Sequence, residues 1–183
     1  QLLLIYVVNS VCPQVMEHSW GMWLITFAPL YLIAVPIGLL LLRKVPAKPL
    51  EKHDLKPSRY IVTAIICIFM MYAGNILGTI ITALLQLLPG ASAGNPILGY
   101  ATDNALLPKV LFMVILAPVI EEYIFRKQLI DRMHIYGEKL AVVTSALMFG
   151  LFHGNLSQFF YAFALGLVFG YMYLKTGKLR YSI

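Results

Sequence analysis

The sequence predicts an all-α protein, a polytopic transmembrane helical bundle. Of its 183 residues, 60% are hydrophobic and only 12% are charged, whereas an ordinary soluble domain is about 25% charged. The apolar residues gather in tracts close to the length of about 20 residues that a helix needs to cross a bilayer core. Several such tracts in one chain predict an integral, multi-pass membrane protein.

Five apolar tracts are predicted to form the helices of this bundle, and a shorter one precedes them at residues 1–8. Two of the five carry small residues four positions apart, Gly74-x-x-x-Gly78 and Gly166-x-x-x-Gly170. This spacing is typical of surfaces on which two membrane helices approach closely. The predicted spans are residues 22–42, 60–88, 106–132, 140–153 and 156–174.

Basic residues indicate how the chain is organised. All but one of the 14 Lys and Arg residues lie in three segments, at 43–59, 126–139 and 175–180. Because basic loops stay on the cytoplasmic side, these segments are predicted to be cytoplasmic. We expect two parts, N-terminal membrane helices with a basic loop at 1–59 and a core at 60–183. The basic residues are explained by topology, so no nucleic-acid partner is predicted.

Ionisable residues inside the apolar tracts indicate the functional site. Glu121, Glu122 and Arg126 lie in one tract, and His153 lies in the next. A charged group at membrane depth costs about 2.5–3.5 kcal/mol on insertion scales, so such clusters are rarely without a function. Glu122 and Arg126 are four residues apart on a helix and are predicted to pair, which leaves Glu121 free. A purely structural ion-pair network is the alternative.

The residues around Gly137 predict a helical hairpin that brings these groups to one level. Glu122 lies 15 residues before Gly137 and His153 lies 16 after it, so both stand roughly 23 Å from the turn at about 1.5 Å per residue. Glu121 and His153 could then activate a water, or a metal-bound water, for attack on a carbonyl. Asn155 and Gln158 are candidates for orienting substrate or water, with capping of a helix as the alternative reading.

These residues resemble the motifs of the CPBP family of intramembrane proteases. The family includes CAAX-processing endopeptidases of the Rce1 type and bacterial proteins of the bacteriocin-immunity or Abi type. Its EExxxR motif occurs as Glu121-Glu122-x-x-x-Arg126 and its FxxxH motif as Phe149-x-x-x-His153. The resemblance implies an endopeptidase in a bacterial plasma membrane, in which Glu121 and His153 are catalytic and Glu122, Arg126 and Phe149 support the site.

The resemblance also implies partners and a candidate cofactor. The family carries a third motif, a His followed four residues later by Asn or Asp, which does not occur in this sequence; we expect it beyond Ile183. Zinc is the candidate cofactor, with Glu121 and His153 as ligands and a further ligand beyond Ile183, because two donors are too few for a zinc site. The expected partners are membrane lipid and a membrane-associated protein or peptide substrate.

Two other functions are compatible with the sequence. A non-catalytic membrane immunity or scaffold protein could have the same helical fold. An ion or metal transporter would also use buried Glu and His side chains. Transport is disfavoured because the polar residues form one cluster at one depth, with no series of sites across the membrane.

Overall fold

The protein is described here by a computed structural model that covers residues 2–12, 14–15, 19–88 and 105–183. Every regular element in these residues is helical, which confirms the predicted all-α class. Short 3₁₀ turns lie at His134–Tyr136 and Leu179–Tyr181. We number six helices: α1, Leu2–Val11; α2, residues 19–42; α3, Pro57–Leu85; α4, residues 106–133; α5, Glu138–Phe152; and α6, Leu156–Thr176.

Helices α2 and α4 contain π-helical segments, and proline explains two of the three. A proline lacks a backbone N–H and crowds the carbonyl four residues before it, so the preceding turn widens. Pro36 follows the π-helical segment Leu30–Ala34, and Pro118 follows Val110–Leu116. No proline lies in or just after the third, Tyr123–Gln128. Its wider turn lies at the EExxxR motif.

In the part of the chain that the structure describes, three helices are long and apolar enough to cross a membrane: Trp20–Leu42, Pro57–Leu85 and Leu156–Thr176. On α3 only Gly74 and Gly78 are buried, while apolar side chains such as that of Phe69, 72% exposed, point outward. An apolar helix with an exposed apolar surface requires lipid as its solvent, so the chain is an integral membrane protein. The predicted spans at 106–132 and 140–153 are helical but are not among these three, and they stay predictions.

The chain divides into two compact units, at residues 1–46 with 97–119 and at residues 47–96 with 120–183. The first unit contains an aromatic stack in which the ring of Phe112 lies 5.3 Å from Phe27 and 6.0 Å from Trp23. The second unit holds all the candidate site residues. The predicted boundary between residues 59 and 60 stays a prediction.

Helix α6 is the centre of the second unit and packs against both α3 and α5. Its contacts are made through the predicted small-residue surfaces. A Cβ atom added to Gly74 would lie 2.5 Å from the Cα of Tyr161, and one added to Gly166 would lie 2.8 Å from the Cα of Ala146. The prediction that these glycines allow close helix packing is therefore confirmed.

We expect Gly74→Ala to lower the free energy of unfolding by about 1–3 kcal/mol, the usual cost of overpacking a close contact. The added methyl would meet the backbone of Tyr161, which cannot move aside by rotating a side chain. Thermal unfolding in detergent measures the effect. The matched control is Gly38→Ala in α2, whose Cβ would meet nothing within 4 Å. An unchanged unfolding midpoint for Gly74→Ala would contradict the prediction.

The basic segment between α2 and α3 is held against the end of the second unit. The backbone N–H of Lys48 donates to the carbonyl of Asp131 at 2.8 Å. Further along, the Asp54 carboxylate accepts from Lys178 Nζ at 2.8 Å and from the Tyr181 hydroxyl at 2.9 Å. These hydrogen bonds, that of Lys178 first, lower the pKa of Asp54 to about 2. The segment and the C-terminal turn are therefore tied together by a charged contact.

Candidate active site

The ion pair between Glu122 and Arg126 is the buried centre of the site. Arg126 is fully buried and Glu122 is 3% exposed. Arg126 Nε donates to Glu122 Oε2 at 3.1 Å, and Nη2 lies 3.0 Å from Oε1. A planar guanidinium that meets both carboxylate oxygens holds that carboxylate in one orientation. The pair predicted from the four-residue spacing is present, and it neutralises Glu122.

Ser145 connects this ion pair to helix α5. Its hydroxyl accepts a hydrogen bond from Arg126 Nη1 at 3.1 Å and donates one to the carbonyl of Phe125 at 2.6 Å. That carbonyl belongs to the π-helical segment Tyr123–Gln128. Ser145 was not among the site residues predicted from the sequence. The available signal was a polar residue in an apolar tract, one helical turn before Phe149.

Phe149 orients the imidazole of His153. At the end of α5, the backbone N–H of His153 donates to the carbonyl of Gly150 and not to that of Phe149. The Phe149 carbonyl lies 2.9 Å from His153 Nδ1. Because a carbonyl only accepts, Nδ1 carries the proton, and Nε2 of the neutral ring keeps a lone pair. The Phe149 ring lies 4.7 Å from the Arg126 guanidinium, a cation–π contact. Phe149 therefore links the two motifs.

The hairpin between α4 and α5 places the two motifs at the same level, as predicted. The ring of Phe125 lies 5.3 Å from that of Phe149 and 5.4 Å from that of Phe152. Gly137 between the helices has a φ of 137°, a conformation that favours glycine. The spacing of residues on either side of Gly137 was sufficient to predict this alignment.

Glu121 differs from Glu122 because it has no hydrogen-bonding or ion-pair partner in the part of the chain that the structure describes. It is half-buried, and its carboxylate lies within electrostatic range of Glu122, Arg126 and Tyr161. An unpaired carboxylate inside a helical membrane protein is a functional-site candidate. Glu121 is therefore a candidate for binding a water or a substrate.

Tyr161 of α6 lies beside His153 and within electrostatic range of Glu121. Its ring centroid lies 6.2 Å from that of His153, and its hydroxyl accepts a hydrogen bond from Gln158 Nε2 at 2.8 Å. Gln158 was a candidate from the sequence, whereas Tyr161, part of an aromatic run, was expected to contact lipid or core. The signal for Tyr161 was its spacing of three residues from Gln158, which places both on one face of a helix.

The described residues do not fit a zinc site by themselves. A catalytic zinc uses three protein ligands, whereas this site offers only Glu121 and His153 Nε2, since Glu122 is neutralised by Arg126. No group of three or more His, Cys, Asp or Glu side chains that could hold a metal occurs within residues 2–12, 14–15, 19–88 and 105–183. The bond from His153 Nδ1 to a carbonyl is typical of a zinc ligand, but the set is one donor short.

The fold and the site define a class: an all-α integral membrane protein with an acid pair, an arginine and a histidine inside its helical bundle. Residues 103–183 match the family described as type II CAAX prenyl endopeptidase Rce1-like. The match covers 81 of the 183 residues and contains both motifs. The CPBP family of CAAX-type proteases, predicted from the motifs, is thus confirmed for this segment. No curated protein and no solved structure gives a significant match.

Proposed function

We propose that this protein is an intramembrane endopeptidase that hydrolyses a peptide bond with a water activated by Glu121 and His153. The observation that carries the proposal is the different environment of two adjacent glutamates. Glu122 is neutralised by Arg126, whereas Glu121 is unpaired in the described part of the chain. An unpaired carboxylate can take a proton from water, while a paired one must first lose its ion pair.

In the proposed reaction, Glu121 removes a proton from a water whose oxygen attacks the carbonyl carbon of the substrate. His153 Nε2 accepts a hydrogen bond from the same water and orients it. The electron pair of the carbonyl bond moves to the carbonyl oxygen, and a tetrahedral intermediate forms. When the C–N bond breaks, Glu121 returns the proton to the leaving nitrogen. The products are a carboxylic acid and an amine, and Glu121 is regenerated.

We further propose a membrane-associated protein or peptide as the substrate and a bacterial plasma membrane as the location. The matched family is described as a CAAX prenyl endopeptidase, which supports peptide-bond hydrolysis as the reaction class. The apolar side chains exposed on α3 support contact with lipid. If zinc takes part, Glu121 and His153 would supply two of its ligands.

Cleavage of membrane-tethered peptides by the full-length protein in liposomes tests this function. We expect the wild-type protein to cut members of a peptide panel, and each reaction is run with and without a metal chelator. Activity that a chelator abolishes and zinc restores would add a metal to the mechanism, whereas activity that survives chelation would support Glu121 and His153 alone. No cleavage of any peptide would favour the immunity or scaffold function.

A further inference from the structure

A chain of hydrogen bonds with fixed polarity runs along the first turn of α6. Asn155 Oδ1 accepts from the backbone N–H of Gln158 at 3.0 Å, which caps the helix. A backbone N–H only donates, so the Asn155 amide cannot be reversed. Asn155 Nδ2 therefore faces Gln158 Oε1, at 2.6 Å. Gln158 must in turn present Nε2 to the Tyr161 hydroxyl, at 2.8 Å.

The Tyr161 hydroxyl consequently accepts a hydrogen bond and keeps its own proton for another acceptor. A phenol donates one hydrogen bond, and no acceptor for this proton occurs among the residues that the structure describes. Gln158 is only 3% exposed, so water does not compete for its amide. A hydroxyl that accepts a hydrogen bond becomes a stronger donor, because linked hydrogen bonds polarise one another.

Contacts with His153, at the end of α5, and with helix α3 set the position of Tyr161. Its ring centroid lies 6.2 Å from that of His153, and its hydroxyl interacts electrostatically with Glu121. Helix α3 packs onto its backbone at Gly74, where a Cβ would lie 2.5 Å from the Tyr161 Cα. Tyr161 therefore lies beside His153 and within electrostatic range of Glu121, the two groups that we propose activate water.

We propose that Tyr161 donates this hydrogen bond to the carbonyl oxygen of the scissile peptide and stabilises the negative charge that forms there. The assignment rests on the proposed peptidase function and adds to it one donor to the oxyanion, beside any that the third motif of the family supplies. Asn155 and Gln158 act through Tyr161 and are positioning residues. A donor that meets charge only in the transition state raises kcat and leaves KM nearly unchanged.

The test uses Tyr161→Phe, which removes the hydroxyl and keeps the ring beside His153. In the full-length protein we expect kcat to fall by about 10²–10³-fold, as for other oxyanion donors, with KM within about two-fold of wild type. Gln158→Leu should lower kcat by a smaller factor, because the hydroxyl stays but loses its alignment. Tyr171→Phe is the matched control on the same helix: this residue is 59% exposed and should keep the wild-type rate.

Binding of a phosphinate peptide, which mimics the tetrahedral intermediate, gives a second measurement. Its inhibition constant should rise for Tyr161→Phe in parallel with the loss of kcat/KM. Active wild-type protein together with unchanged kcat for Tyr161→Phe would overturn the assignment and leave the peptidase function standing. A raised KM at unchanged kcat would also overturn it, since Tyr161 would then only bind substrate. An inactive wild-type protein would overturn both proposals.

Discussion

Glu121→Gln should reduce peptide cleavage by the full-length protein by about 10²–10⁴-fold, the usual contribution of a positioned general base. The amide has nearly the shape of the carboxylate but cannot accept a proton from water. Glu122 cannot replace it, because both of its carboxylate oxygens face Arg126, at 3.0 and 3.1 Å. Initial rates on a membrane-tethered peptide in liposomes measure the effect.

The same assay shows whether Glu121 and His153 act on one water. His153→Ala should lower the rate by a similar factor, and the double variant should be no slower than the slower single variant, because groups that act as a unit are not additive. Glu138→Gln and His53→Ala are matched controls with exposed side chains and should keep the wild-type rate. If the two rate losses multiply in the double variant, Glu121 and His153 do not act on the same water. If Glu121→Gln keeps full activity, Glu121 is not the general base.

Arg126→Leu should lower the free energy of unfolding by about 3–5 kcal/mol, the cost of leaving a buried charge without its partner. Arg126 is fully buried, and its loss strands the Glu122 carboxylate at 3% exposure. The substitution also removes the hydrogen bond to Ser145 and the contact with the Phe149 ring. Denaturant unfolding in a fixed detergent measures the change.

Two comparisons identify the cause of this loss. The double variant Glu122→Leu with Arg126→Leu should regain much of the stability, because no buried charge remains unpaired. Lys175→Ala breaks an ion pair with Glu138 in which the side chains are 49% and 60% exposed, and it should lower the free energy of unfolding far less than Arg126→Leu does, because water screens an exposed pair. If Arg126→Leu lowers the free energy of unfolding no more than Lys175→Ala does, the buried pair does not stabilise the fold.

The sequence by itself determined the helical membrane class, the Glu122–Arg126 pair and the level of the two motifs. These features depend on local periodicity: apolar tracts long enough for a bilayer, a four-residue spacing on one helix, and equal distances from Gly137. The close packing at Gly74 and Gly166 was predictable for the same reason. In each case, residues near one another in the chain carry the signal.

Only the tertiary structure decided which other polar groups complete the site. Ser145 bonds to Phe125 and Arg126 from a different helix, and Tyr161 reaches the site because α6 packs beside α5. The proton on His153 Nδ1 follows from one carbonyl at a helix end. The contacts of Ser145 and Tyr161 join residues that are distant in sequence, so they form only when the helices pack. The contact of His153 depends on how the backbone ends helix α5, which the spacing of residues does not encode.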